Sequence, residues 1–247
     1  MPIPRFYCPP PLHWEHQFAL PAPAAHHAHR VLRLRVNDRV QVFDGTGIAC
    51  DAAIEEINGR HVVLGARLSQ TNESRAHLHI TLAQALCSSE KMDWVVQKAT
   101  ELGAAQIAPV QTQRSVARLS TERAERRTRH WHEVAIAACE QCGRNHLPQV
   151  HAPQDFSAWL AQIRDTPGTK FILLPHAAHS LHAQPRPHGA VTLLVGPEGG
   201  FSEEEAQLAQ SVGFIPLRLG THVLRTETAA IAGLAALQTL WGDFGAV

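Results

Sequence analysis

Val191-Thr-Leu-Leu-Val-Gly-Pro-Glu-Gly-Gly-Phe-Ser-Glu-Glu-Glu205 decides the fold. Five apolar or β-branched residues form a short, continuous run, as expected of a strand in a parallel sheet covered on both faces. A glycine-bearing loop, Gly196-Pro-Glu-Gly-Gly200, follows at once. Ser202 then reads as a helix N-cap, and three carboxylates in the next turn favour the positive end of a helix. The order is strand, loop, helix. A second stretch repeats it: Pro216 to Leu219 is a short strand, and Leu219-Gly-Thr-His-Val-Leu-Arg-Thr-Glu-Thr-Ala229 leads into an Ala-rich helix over Thr226 to Trp241.

Both loops fall at the C-terminal ends of strands, the edge where open α/β sheets bind ligands. Glycines there let a backbone approach a ligand closely. Neither loop matches GxGxxG or GxxxxGK[ST], and no GxSxG elbow occurs, so dinucleotide binding, ATP phosphate cradling and serine hydrolysis are disfavoured. Gly196 to Gly200 alone reads as a tight turn. The two loops together with Arg225-Thr-Glu227 read as a site. Helix capping is the competing account of that tripeptide, with Thr226 as N-cap and Glu227 in the first turn.

Moving outward, Leu78 to Leu86 and Gln106 to Val110 read as strands. Ser89 to Leu102 is a helix with Met92, Val95, Val96, Ala99 and Leu102 on one face, closed by Gly103. Thr121 to Cys142 is a longer helix with Trp131, Val134, Ala135 and Ala138 inward. Phe171 to Leu174 is another buried strand. Strand and helix alternate, so this half is α/β. Residues before about 70 look different. Val40 to Asp44, Ile48 to Ile57 and His61 to Arg67 are strands, with Gly45-Thr-Gly47 and Asn58-Gly59 as turns. A short helix is expected over His26 to Leu34. The pattern suggests a small barrel, with a boundary in the polar Ser69–Arg75 stretch: 1–73 and 74–247.

The 247 residues are 45% hydrophobic and 18% charged, a globular composition. No run of eighteen apolar residues exists and the N-terminus does not read as a secretory signal, so a cytoplasmic protein without membrane contact is expected. The five cysteines are scattered and odd in number, which does not suit a disulfide framework. Cys139-Glu-Gln-Cys142 lacks a second ligand pair, so it reads as two small helix residues and no metal is expected. Net charge is zero, but six arginines against two glutamates lie between Arg114 and Arg129. That stretch is either a solvated helix face or a nucleic-acid patch.

Gly196-Pro-Glu-Gly-Gly-Phe-Ser202 followed by Leu219-Gly-x-x-Val-Leu-Arg-Thr-Glu-Thr-Ala229 resembles the SPOUT class of methyltransferases. More narrowly, it is similar to the RsmE family, which methylates N3 of a uridine in small-subunit ribosomal RNA. Lys91-Met-Asp-Trp-Val-Val-Gln-Lys-Ala-Thr-Glu-Leu-Gly103, Arg114-Ser-Val116, Glu140-Gln-Cys-Gly-Arg144, His29-Arg-Val-Leu-Arg33 and Phe43-Asp-Gly-Thr-Gly47 match further pieces of that family. The likeness covers nearly the whole chain. His222 departs from the family's usual Arg, Cys142 from a Ser or Thr-like residue, and the N-terminus carries extra prolines.

The resemblance implies an α/β C-terminal SPOUT domain with a deep trefoil knot, preceded by a PUA-like β-barrel that binds RNA. It implies a homodimer that uses S-adenosylmethionine on a decoding-region uridine of 16S rRNA, within the small ribosomal subunit. Leu219, Gly220, Val223 and Leu224 would hold the adenine by backbone groups. Gly196, Pro197, Glu198, Gly199, Gly200 and Thr226 would line the rest, with Leu174 beside them. Arg225 would stabilise negative charge on the base, and Glu198 or Glu227 would take its proton. Arg5, Arg30, Arg33, Arg35, Arg114 and Arg118 are the candidates for RNA contact. The small residues of the last helix (Ala229, Ala230, Ala232, Gly233, Ala235, Ala236) suit either sheet packing or a dimer interface. Two other readings stay open: a related enzyme acting on a ribose 2′-hydroxyl or a tRNA base, and a non-catalytic RNA-binding assembly factor.

Overall fold

The structure is a computed structural model that describes residues 3–11, 17–59, 61–73, 78–115 and 120–245, with backbone alone over 66–70. The chain divides into two compact units, Met1–Arg75 with Ile136–Leu147, and Ala76–Ala135 with Pro148–Val247. A boundary near residue 73 alone does not anticipate the second segment of the first unit.

In the first unit, β1 (Arg5–Tyr7), β2 (Phe18–Ala19), β3 (Arg39–Phe43), β4 (Ile48–Asn58) and β5 (His61–Asn72) form one sheet in the order β1-β3-β4-β5-β2. β1 runs parallel to β3 and the other pairs are antiparallel. Asn58 pairs with His61, so Gly59, at φ 61°, opens the β4–β5 turn. Phe6, Val40, Val42, Ile54, Val62 and Leu64 share one core with Ala25 and Ala28. Those two alanines belong to α1 (Ala22–His26) and the π-helical turn His27–Val31 that continues it. The expected helix over His26 to Leu34 therefore lies earlier. Pro21 at the N-cap and Pro23 in the first turn preset φ for a helical start. At the far end Arg33 adopts a left-handed φ of 55°, which stops the helix.

The second unit is built on a parallel sheet. Its strands are β6 (Ile80–Ala85), β7 (Gln106–Gln111), β8 (Gln149–Val150), β9 (Gln154–Asp155), β10 (Thr169–Leu173), β11 (His179–Ser180), β12 (Val191–Val195) and β13 (Phe214–Arg218). The order is β11-β13-β10-β12-β6-β7-β8, with β9 also on β7, and every recorded pair is parallel. The helices are α2 (Ser89–Glu101), α3 (Thr121–Cys142), α4 (Phe156–Ile163), α5 (Glu203–Ser211) and α6 (Thr226–Trp241).

Covered strands explain the unbroken apolar runs. On one face Ile172, Leu194 and Phe214 pack with Phe156, Trp159 and Leu160 of α4 and Ala209 of α5. α6 packs on β6 and β12 and against α2. A Cβ at Gly233 of α6 would meet Leu193 Cδ2 at 2.8 Å, so the small residue there serves close approach to the sheet. α4 adds a helix beyond those expected from sequence: Asp155 caps it by accepting from the Ser157 and Ala158 amides, and Phe156, Trp159, Leu160 and Ile163 recur at helical spacing. Among the described residues, no helix is long and apolar enough to cross a membrane.

Candidate active site

The sheet brings both glycine loops to its C-terminal edge. Gly196 follows β12, Leu219 follows β13, Leu174 follows β10, and Cys87 and Ser88 follow β6. The loops enclose a cavity of about 570 Å³, within the ordinary range for a small-molecule site. Leu174, Gly196, Pro197, Glu198, Gly199, Gly200, Leu219, Val223, Leu224, Arg225 and Thr226 all line it. Gly220 does not. It turns the chain at φ 72°, with open space where a Cβ would stand. Lys91, His176 and His222 also line the cavity; loop spacing in the sequence does not point to any of them.

One hydroxyl joins the loops. Thr226 Oγ1 donates to the Gly196 carbonyl at 2.5 Å and accepts from Gln84 Nε2 at 2.9 Å. Gln84 sits fully buried on β6 and also donates to the Ala85 carbonyl. This corrects the capping account. Arg225 is the N-cap of α6 and makes no side-chain cap bond, while Thr226 is already helical. A buried glutamine in an otherwise apolar strand was the available signal for this contact, since such a group needs a partner.

The Gly196–Ser202 loop is gripped from its other side. Arg114 donates to the carbonyls of Gly199 at 2.9 Å and Phe201 at 3.3 Å. The Gln113 amide donates to Glu205 at 2.7 Å, and Glu205 completes a capping box with Ser202. A Cβ at Gly199 would meet Arg114 Cβ at 3.2 Å, and one at Gly196 would meet the Phe201 ring at 3.1 Å. The glycines are thus needed for the loop's own closeness as well as for its open face.

Three charges gather beneath the loop. Lys91 Nζ donates to Glu198 Oε1 at 3.0 Å and lies 3.6 Å from Glu227 Oε2. The second distance is too long for a hydrogen bond, and Glu227 Oε2 is buried with no such partner. The Ser88 amide also donates to Glu198, at 3.3 Å. Partial burial pushes the Glu198 carboxyl up, but its own amide, Lys91 and the Ser88 amide outweigh that and hold it below the usual carboxylate range. The hydrogen bond to Glu198 in turn raises Lys91. Nearby, burial drives the Cys87 thiol to about 12, so it is no nucleophile at neutral pH. Arg225 is exposed, and its side chain makes no hydrogen bond or ion pair among the described residues.

The arginines expected to meet RNA divide. Arg30, Arg33 and Arg35 are exposed, interleaved with exposed Val31, Leu32 and Val36. Arg5 is committed internally. Its guanidinium binds Gln41, the Arg144 carbonyl at 3.3 Å and Asn145 at 2.6 Å, and stacks 5.0 Å from the centre of the Phe43 ring. Burial lowers its pKa. Arg5 is therefore a structural cation of the first unit, and Arg114 is spent on the loop. Arg118 lies outside the described residues. Cys139 is buried, its thiol raised to about 12 by that burial, while Cys142 is exposed; both are free.

Comparison with known proteins gives the class first. The family model for the RNA methyltransferase domain matches residues 74–238, and that for the RNA methyltransferase PUA domain matches 20–65. Ribosomal RNA small subunit methyltransferase E of Buchnera aphidicola (subsp. Schizaphis graminum) is 32% identical over 98% of both chains. A solved structure of the same-named protein from Neisseria gonorrhoeae, bound to S-adenosyl methionine, is 38% identical with TM-score 0.90, covering 98% of this chain and 99% of that one. A Legionella pneumophila structure described as a methyltransferase with bound cofactor SAM is 35% identical, with TM-score 0.93 over 99% and 100% of the two chains. The chain belongs to the ribosomal RNA small subunit methyltransferase E family of RNA methyltransferases.

Proposed function

We propose that this protein transfers a methyl group from S-adenosylmethionine to N3 of a uridine in 16S rRNA, the decoding-region uridine at position 1498. The observation that carries the reading is the single cavity shared by both glycine loops, with the unpartnered Arg225 on its wall. Its fit to the donor rests on this chain's own features. The cavity has the size of a nucleoside-sized ligand, and its rim is backbone-rich at Gly196–Gly200 and Leu219–Leu224. The bound donor supplies a methyl group on a positively charged sulfur.

Leu219, Val223 and Leu224 hold the adenine in this reading, and Gly196 to Gly200 line the remainder. Holding the base nitrogen in line with that methyl supplies most of the acceleration. Uridine N3 carries a proton and becomes a good nucleophile only without it. Arg225 stabilises the negative charge that results, and a carboxylate takes the proton. Arg30, Arg33 and Arg35 contact phosphates, and exposed Val31 and Leu32 between them, with Val36 just after, suit shape contacts. In the same reading the second domain is trefoil-knotted, the protein is a homodimer in the cytoplasm, and the first domain binds RNA within the small subunit.

Nucleoside mass spectrometry of 16S rRNA from cells lacking the protein tests the assignment. Loss of 3-methyluridine, restored by the intact gene, is expected. Unchanged 3-methyluridine with loss of a ribose-methylated nucleoside would move the target to a 2′-hydroxyl.

A further inference from the structure

We propose that Lys91 sorts the two carboxylates of the site, fixing Glu198 as a structural anion and leaving Glu227 to accept the proton released by the substrate base. The inference rests on the methyl-transfer reading above and assigns a step that reading leaves between two residues.

The two acids are unequal in their partners. Glu198 accepts from Lys91 Nζ and the Ser88 amide, at 3.0 and 3.3 Å. Protonating it would break a charged hydrogen bond and remove one of the loop's anchors. Glu227 Oε2 has no hydrogen bond and lies covered from solvent behind the cavity wall, with the Lys91 ammonium 3.6 Å away. Its side chain is 14% exposed against 30% for Glu198. A proton arriving at Glu227 breaks no hydrogen bond and gives up only the longer, 3.6 Å ion pair with Lys91. A carboxylate with a free lone pair is the better acceptor when the two have similar intrinsic basicity.

Lys91 makes the difference between them. It stands in the first turn of α2, lines the cavity, and reaches Glu198 within bonding distance while stopping 3.6 Å short of Glu227. Its ammonium has three donors; one is hydrogen-bonded to Glu198, and the charge is also ion-paired with Glu227 at the longer distance. The other titratable group near the pair is Cys87, two residues past β6, whose thiol stays protonated; Arg225 precedes Glu227 by two residues as the N-cap of α6. In the step, the N3–H bond breaks and the proton passes to Glu227. The electron pair stays on nitrogen and forms the new bond to the methyl carbon. The sulfur–carbon bond breaks with its pair remaining on sulfur, and Glu227 later returns the proton to water. Lys91 acts here as a positioning residue.

The test compares intact protein with Glu227→Gln, Glu198→Gln, Lys91→Met and Lys91→Arg on small ribosomal subunits across pH, with donor binding by calorimetry. Carbon-13 NMR of the side-chain carboxylates, without donor or RNA, adds a readout independent of turnover. Glu227→Gln should lower kcat by about 10²- to 10⁴-fold, keep donor affinity within about twofold, and give a rate that rises with hydroxide concentration. Glu198→Gln should weaken donor binding and keep the unaltered pH profile. In Lys91→Met the Glu198 signal should titrate at the ordinary carboxylate position, and Lys91→Arg should restore its low position. A Glu227→Gln protein that keeps its kcat and pH profile overturns the assignment. So does a Glu198→Gln protein that is the one to lose them. Intact protein that neither binds donor nor transfers methyl removes the functional reading itself, and the inference with it.

Discussion

The Thr226 hydroxyl spans the two glycine loops, donating to the Gly196 carbonyl at 2.5 Å while accepting from buried Gln84 at 2.9 Å. It is the one side-chain bond described that ties the end of β12 directly to the start of α6. Thr226→Val keeps the shape and removes both bonds, leaving the part-buried Gly196 carbonyl without this donor and buried Gln84 with only its bond to the Ala85 carbonyl. A stability loss of about 1–3 kcal/mol follows, with weaker binding of S-adenosylmethionine because the cavity walls are no longer fixed. Urea unfolding and calorimetric titration measure the two effects. A variant as stable as the parent would mean that the loops are held by something else.

Arg225 separates function from stability. Its side chain is exposed and has no partner among the described residues, so Arg225→Ala should change stability by no more than about 0.5 kcal/mol. Loss of a group that stabilises charge in the transition state typically costs about 10²- to 10³-fold in rate. Single-turnover methyl transfer on small subunits reads that loss. Equal loss of folding and activity would assign Arg225 to structure instead.

The Lys91–Glu198 pair gives stability a pH signature. Glu198 is held below its ordinary 4.5, so its contribution is present above that value and lost as pH falls through the lowered one. Lys91 is held above its ordinary 10.5, so its share is complete below that value and lost as pH rises through the raised one. The stability difference between intact protein and Lys91→Met should therefore be flat through neutrality and shrink at both ends. Thermal melts across pH detect it, and a difference that does not vary with pH would contradict the pairing.

Much of the second unit was legible because parallel strands buried on both faces leave unbroken apolar runs. Val191–Val195 and Phe171–Leu174 announce themselves that way, and the loops behind them mark the site. Less of the first unit was legible. β1 and β2 are only three and two residues long and carry no periodicity. α1 was misplaced because Pro21 and Pro23 act as helix starters there rather than as breakers. At the site, spacing put Arg225, Glu198 and Glu227 together but said nothing of Lys91, which arrives from more than a hundred residues away. Arg5 and Arg114 looked like surface cations; only the fold shows that Asn145 and the Gly199 carbonyl claim them. Charge in sequence does not reveal whether a partner waits in space.

Helix α6 offers a test of close packing. Gly233 is where the helix meets Leu193 and Leu173, at 2.8 and 3.4 Å from an added Cβ. Leu193 is 1% exposed and has little room to move. Gly233→Val should destabilise the protein by about 1–3 kcal/mol through overpacking, although Gly is normally the poorer helix former. Chemical denaturation gives the sign, and a stabilised variant would show that the sheet yields.

The cysteines give a chemical check on burial. Cys8, Cys50, Cys87 and Cys139 are buried and Cys142 is exposed. A thiol reagent under native conditions should modify Cys142 within minutes and the other four only after denaturant is added. Rapid labelling of Cys87 would mean that the charged floor of the site is open to solvent.

The central claim is methyl transfer to uridine N3, and nucleoside analysis of a reconstituted reaction tests it most directly. Purified protein is incubated with isotope-labelled S-adenosylmethionine and small ribosomal subunits from cells lacking the protein, and the digested RNA is resolved by mass spectrometry. Labelled 3-methyluridine at one site, absent with Arg225→Ala, is the predicted result. Label in a 2′-O-methylated nucleoside, or no label at all from folded, donor-binding protein, would contradict the account.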